Sequence, residues 1–291
     1  MRKSSKVLGA AILILLALVI CIWYTVFRED RGGLLTISFL NIGQGDSIFI
    51  DAPSGRQVLI DGGPNASVIR ELGKVMPWYD RTIDVMIPTH PDADHIGGLV
   101  DVLTRYKVGM IIQSSVEGST ALWDTLEREV HKEGALVLTA RRGQIVDLGS
   151  TGSPQAAHAY LEVLFPDRDV PNLETNTGCV VTRLVYGNTS FMLPCDAPQA
   201  IEKYLTSLDG SGLHSDVLKA GHHGSKTSSA PLFVGYVDPT WAVYSRGCDN
   251  RYGHPNKETV ETFSRFQIPT LDTCTEGTIT FVSDGSTVKL R

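Results

Sequence analysis

Two imidazoles and two carboxylates fall within six positions of one another in Thr89-His90-Pro91-Asp92-Ala93-Asp94-His95, directly after the apolar, strand-like run Ile83 to Ile87. On a turn too short to bury them separately, such groups can converge on a metal ion with little further loop-closure cost. The plainer reading is a helix N-terminus, where Asp92 or Asp94 caps a helix from Ile96 onward. Capping uses one carboxylate and neither histidine, so metal ligation is the expectation. The same kinds of side chain recur at Asp196, which follows the strand-like Ser190 to Leu193 in Leu-Pro-Cys-Asp. They recur again at His222 and His223 in Lys219-Ala-Gly-His-His-Gly-Ser225, and at His254 in Arg251-Tyr-Gly-His-Pro255.

The elements that must position these groups are legible as apolar runs punctuated by Gly, Asp and Pro. Leu35 to Leu40, Ser47 to Asp51 and Gln57 to Asp61 read as closely spaced antiparallel strands. Helical periodicity then covers Ala66 to Met76, Ile96 to Tyr106, Ser119 to Lys132, Pro198 to Leu205 and Asn256 to Phe266. Between them lie strands at Val108 to Ile112, Tyr160 to Leu164, Val180 to Tyr186, Asp216 to Leu218, Trp241 to Tyr244 and Thr278 to Val282. Gly187-Asn188 reads as a hairpin turn. A hairpin-rich opening followed by alternating strands and helices predicts an α-β sandwich, two sheets between outer helices. No repeat and no internal linker interrupts residues 34–291, which are expected to form one domain.

With 42% hydrophobic and 20% charged residues, the 291-residue chain has globular rather than disordered composition. Residues 7–27 carry no charge and follow Arg2, Lys3 and Lys6, so residues 1–33 read as a membrane anchor and linker. The run ends without a small-x-small cleavage pattern, and Trp23 and Tyr24 suit an interface. The basic residues weakly favour the remaining body lying outside the cytoplasm. After Gly33 the chain holds 21 basic and 30 acidic residues, because five of the 26 basic and two of the 32 acidic ones precede that point. A net charge of −9 argues against tight, sequence-independent nucleic-acid binding. Of the five cysteines, Cys248 and Cys274 follow successive strands joined by a helix, so a disulfide between them is expected. Cys195 is either a thiol near metal or, more plainly, a small buried residue.

The turn at His90 to His95 resembles the His-x-His-x-Asp-His signature of the metallo-β-lactamase superfamily, with Asp92 in place of the second histidine. Together with Asn41-Ile-Gly-Gln44-Gly45-Asp46, the segment from Lys219 to Ser225 and the segment from Arg251 to Pro255, it resembles the hydrolase domain of ComEC-type DNA-uptake proteins. The likeness runs from Leu35 to the end and leaves no room for a polytopic channel, so transport is not implied. The resemblance implies the αββα metallo-β-lactamase fold with mixed sheets, and two divalent ions, manganese or zinc. His90 and Asp92 would hold the first ion, Asp94, His95 and His222 the second, with Asp196 between them. His223 is expected to point elsewhere on an extended backbone. No clear counterpart exists for a further first-site histidine: Asn172 and Asn176 fall in the region, and His158 lies too early.

Two such ions roughly 3.5–4 Å apart lower the pKa of a water and neutralise charge developing on a phosphate. Asp94 would orient that water, and His254 would donate to a phosphate oxygen or the leaving group. Lys219, Ser225, His223 and His254 would contact substrate. The expected reaction is hydrolysis of DNA or another phosphodiester. The competing readings are hydrolysis of a lactam, thioester or amide, and a metal-stabilised surface module without turnover.

Overall fold

Leu35, Ile37 and Phe39 are fully buried while Thr36 and Ser38 face the other way, so the first run after residue 33 is a two-faced strand packed on a core. That alternation sets the plan of the molecule. In the computed structural model of the protein, the backbone is described for residues 2–29, 31–150 and 157–291, and side-chain surroundings for 7–23, 31–150 and 157–291. In chain order the elements are α1 (Arg2–Glu29), β1 (Leu35–Phe39), β2 (Ile48–Asp51), β3 (Gln57–Ile60), α2 (Ser67–Val75), β4 (Thr82–Ile87), α3 (Ala93–Ile96), α4 (Leu99–Leu103), β5 (Lys107–Gln113), α5 (Ala121–Glu133), β6 (Leu136–Thr139) and β7 (Ile145–Gly149). They continue with β8 (Ala159–Phe165), β9 (Val181–Tyr186), β10 (Thr189–Leu193), α6 (Gln199–Asp209), β11 (Val217–Lys219), α7 (Pro231–Val237), β12 (Trp241–Tyr244), α8 (Lys257–Arg265), β13 (Thr270–Asp272), α9 (Thr273–Glu276), β14 (Ile279–Ser283) and β15 (Val288–Leu290).

Among the described residues the strands form two mixed sheets, ordered β15-β14-β1-β2-β3-β4-β5-β6 and β13-β12-β11-β10-β9-β8-β7. Strands β3 to β6 run parallel, as do β10 to β13. The inner faces meet in a core that includes Ile37, Phe39, Phe191 and Phe281. One outer face buries Leu72, Leu99 and Leu126 from α2, α4 and α5, and the other buries Leu205, Phe233 and Phe263 from α6, α7 and α8. This is the four-layer sandwich that the alternation of elements predicted.

Two local differences have clear causes. The helix expected over Ile96 to Tyr106 is broken into α3 and α4 at Gly97-Gly98, where the chain crosses close to β3. A Cβ on Gly98 would sit 2.1 Å from the Gly62 carbonyl oxygen. Strand β13 and helix α7 are too short to show a period. The hairpin turn at Gly187-Asn188 is as expected, with Tyr186 opposite Thr189.

The expected membrane span is corrected. Among the described residues no helix is long and apolar enough to cross a membrane. The expected run of residues 7–27 falls within the helix Arg2–Glu29. Residues 24–27, including Tyr24, lie outside the residues whose side chains are described. The cysteine expectation fares differently: β12 and β13 are parallel neighbours joined through α8, and Cys248 and Cys274 are disulfide-bonded with Cα atoms 5.0 Å apart.

Candidate metal centre

The site forms where parallel strands of both sheets end, the usual place for ligands in open α/β sheets. Past β3 comes Asp61, past β4 come Thr89 and His90, past β10 come Cys195 and Asp196, and past β11 comes the Gly221–Gly224 turn. Four of these residues, Asp61, Cys195, His222 and His223, have positive φ, an uncommon conformation for side chains other than glycine. Such residues gather where the surrounding structure holds a functional geometry in place. Gly45 makes a close approach possible: a Cβ there would lie 2.0 Å from the Asp94 carbonyl oxygen, so the Asn41 to Asp46 loop can rest on the α3 turn.

Asp196 Oδ2 is the centre of the cluster. It stands 3.2 Å from His95 Nε2, 3.2 Å from His223 Nε2 and 3.6 Å from His222 Nε2. Asp94 Oδ2 is 3.5 Å from His223 Nε2, and His90 Nε2 is 3.7 Å from Asp92 Oδ2. Ligand atoms bonded to one ion at about 2.0–2.2 Å in tetrahedral array are separated by roughly 3.3–3.6 Å. His90 Nε2 and His223 Nε2 are both buried without a hydrogen-bond partner. Buried nitrogens without partners, beside carboxylate oxygens at ligand spacing, fit divalent cations. The donor set is mixed imidazole and carboxylate.

Deeper hydrogen bonds decide which ring nitrogens face inward. The Asp61 carboxylate only accepts, so Thr89 Oγ1 donates to it at 2.7 Å and His95 Nδ1 donates at 2.7 Å. With its one proton spent, the Thr89 hydroxyl accepts from His90 Nδ1 at 3.0 Å and from Cys195 Sγ at 3.1 Å. His223 Nδ1 donates to the Ser245 carbonyl at 3.0 Å. In His90, His95 and His223 the Nδ1 is engaged outside the cluster, so Nε2 is the atom that faces it and would serve as ligand once metal displaces any proton it carries, an arrangement typical of histidines held for metal.

The carboxylates and rings also perturb one another. Burial pushes Asp196 up, yet His223, His95 and Lys219 outweigh it and hold the carboxyl well below the usual range. Burial and the His95 charge pull His90 well down, so it is neutral. Burial, followed by the charges of His223 and His222, brings His254 down to about 4.

Several expected contacts fall elsewhere. Lys219 was expected beside substrate but is fully buried. Its Nζ is paired with Asp46 and lies 3.3 Å from Asp196 Oδ1 and 3.0 Å from the Cys195 carbonyl, so it faces the back of the cluster. Ser225, also expected at substrate, is buried, with its hydroxyl 2.9 Å from Thr227 Oγ1. His223 does not point away: the left-handed backbone at both histidines turns both rings to Asp196. His223 is the buried one, whereas His222 is partly exposed and its Nδ1 lies 3.1 Å from Thr227 Oγ1. His158 pairs with Asp147 on the β7–β8 edge, and the residue that reaches Asp92 from the β8–β9 loop is Thr175. Two residues were missed. Asp46 lay in a quoted motif without a role, and Asp61 was read only as a strand end; the signal in its favour is a carboxylate set between a buried strand and Gly62-Gly63.

A cavity of about 190 Å³ opens onto the cluster, lined by Gln44, Asp92, Asp94, Asp196, His222, His223, Tyr252 and His254. A larger groove of about 850 Å³ beside Trp78, floored by Thr36, Ser38 and Thr280, contains none of these residues.

Residues 40–239 match the Metallo-beta-lactamase superfamily, and the chain belongs to it. That makes it a metallo-hydrolase of this superfamily, with divalent metal as its cofactor class. The likeness to ComEC-type proteins also holds. The chain is 28% identical over 267 residues to ComE operon protein 3 of Bacillus subtilis, covering 84% of this chain and 32% of that protein. It is 28% identical over 249 residues to Competence protein ComA of Neisseria gonorrhoeae, again covering 84% and 32%. The chain thus spans about a third of the length of the curated relatives it matches. Among solved structures, the diiron beta-hydroxylase CmlA from Streptomyces venezuelae superposes with a TM-score of 0.53 at 14% identity, over 81% of this chain and 52% of that one, a likeness of fold.

Proposed function

We propose that the chain is a two-metal phosphodiesterase acting on nucleic acid, DNA above all. Manganese or zinc would be held by His90 and Asp92 on one side and by Asp94, His95 and the His222-His223 pair on the other, with Asp196 shared. The observation that carries this reading is Asp196 Oδ2 facing three imidazole Nε2 atoms at 3.2–3.6 Å. Bound there, the ions would supply Lewis acidity and make hydroxide available near neutral pH.

The protein's own groups have distinct tasks. Asp94, about a third exposed at the cavity, accepts a hydrogen bond from a water and orients it. Burial pushes its carboxyl up, but the neighbouring His223 and His95 outweigh this and bring it to about 2, so it is an acceptor at neutral pH. His254 is neutral and offers one N–H to a phosphate oxygen or leaving group. At about 190 Å³ the cavity is below the roughly 300–1,000 Å³ of pockets that enclose drug-sized ligands. A phosphodiester group entering with its bulk outside suits that size better than an enclosed lactam. Asp92, a carboxylate where the superfamily pattern has imidazole, also moves the preference from zinc towards manganese. The Cys248–Cys274 disulfide supports a working place outside the cytoplasm. The link to the competence relatives favours DNA among phosphodiesters.

The test is purified protein loaded with Mn²⁺ or Zn²⁺ and given labelled single-stranded oligonucleotide. Cleavage that disappears in Asp196→Asn is expected. Turnover of a lactam or thioester with oligonucleotides left intact would overturn the reading.

A further inference from the structure

The loop after β12 bears on what flanks the scissile group. Tyr252 lines the cavity with Asp94, Asp196 and His254, yet it is 51% exposed. Its ring stacks on the His254 imidazole, with centroids 5.5 Å apart and planes inclined by 24°. The exposed Arg251 places its guanidinium carbon 5.0 Å from the Tyr252 ring centroid and donates from Nη2 to the Tyr252 hydroxyl at 3.0 Å. The loop is tied down on several sides. Asn250 accepts from the His254 amide at 2.8 Å and donates to the Gly247 and His254 carbonyls at 2.9 Å. Gly247 N donates to Gln44 Oε1 at 3.3 Å, and Cys248 is bonded to Cys274. An aromatic ring and a guanidinium plane are thus held together at the mouth of the metal cavity.

We infer that Arg251 and Tyr252 form a stacking platform for the nucleobase next to the scissile phosphodiester, so that the substrate is single-stranded nucleic acid. This rests on the phosphodiesterase reading of the same site. Stacking on tyrosine or arginine accepts any base, because every base has a π face. A base within a duplex is already stacked on both sides and cannot offer that face without being extruded. Arg251 also supplies a positive charge beside the neighbouring phosphate, on a body whose net charge is otherwise unfavourable to polyanions.

The experiment uses the full chain with Mn²⁺ and a labelled single-stranded oligonucleotide, either intact or carrying one abasic residue beside the cleaved linkage. Tyr252→Ala should raise KM about tenfold on the intact strand, while Tyr252→Phe stays near wild type. On the abasic strand Tyr252→Ala should add no further loss, a non-additivity that a merely structural role would not produce. The wild type should cut the single strand more than about tenfold better than the matching duplex. Unchanged KM in Tyr252→Ala, or the same loss on abasic as on intact strand, overturns the platform and leaves the phosphodiesterase reading standing. Failure of the wild type to cut any oligonucleotide overturns both.

Discussion

The Asp61 carboxylate lies 2.7 Å from His95 Nδ1, and through Thr89 the same group fixes the tautomer of His90. One buried acid therefore aims two imidazoles. Outer partners of this kind typically contribute tenfold to a hundredfold in metal affinity. Asp61→Ala should lose affinity in that range while every direct ligand remains, measured as Mn²⁺ or Zn²⁺ dissociation constants by chelator competition.

His222 and His223 should not be equivalent. His223 is buried, its Nε2 has no partner and its Nδ1 is held by the Ser245 carbonyl, whereas His222 is partly exposed. His223→Ala is expected to weaken metal binding more than His222→Ala, by at least about tenfold. Elemental analysis after dialysis of both variants decides between them. Equal retention would count against His223 as the principal ligand of the pair.

Lys219 neutralises two buried carboxylates at once, Asp46 and Asp196. Lys219→Met would remove their shared lysine and leave only the histidines to offset them, and breaking a buried pair costs about 3–5 kcal/mol. Denaturant unfolding in chelator should show a loss of that order. Saturating divalent cation should restore part of it, since an ion binding only the folded state stabilises that state.

Glu202, whose carboxylate lies against Gly221 behind the His222-His223 turn, gives a further pH dependence. Burial pushes its carboxyl from an ordinary 4.5 to about 7, against hydrogen bonds accepted from the Ser229 and Ala230 amides at 2.8 and 2.6 Å. The folded state thus holds a proton that the unfolded chain has lost between pH 4.5 and about 7, so this group's contribution to stability falls as pH rises through that window and is flat above it. Relative to Glu202→Gln, the wild type should lose about 3 kcal/mol between pH 4.5 and 7.5. Paired urea titrations at the two pH values measure the difference.

How much of this was legible follows from where each interaction is encoded. The His90 to His95 turn is a local signal, and its density of ligand-type side chains reads directly. The sandwich follows from strand and helix periods that survive in single segments. Asp61 is different: it reaches Thr89 because β3 and β4 pair in parallel, Ile60 beside Ile87, and no local pattern states that pairing. The aim of His223 depends on two consecutive left-handed residues, whereas an extended backbone would have sent neighbouring side chains apart. Lys219 is expected at substrate because a cation beside a glycine turn can help hold phosphate. Only the fold reveals two acids waiting behind it.

The link between Cys248 and Cys274 closes the β12–β13 connection, the stretch that also bears Tyr252 and His254. Redox history thereby becomes part of the molecule's identity. Material made in a reducing cytosol and material folded under oxidising conditions share a sequence but not a covalent structure, and they would present the cavity mouth with different stiffness.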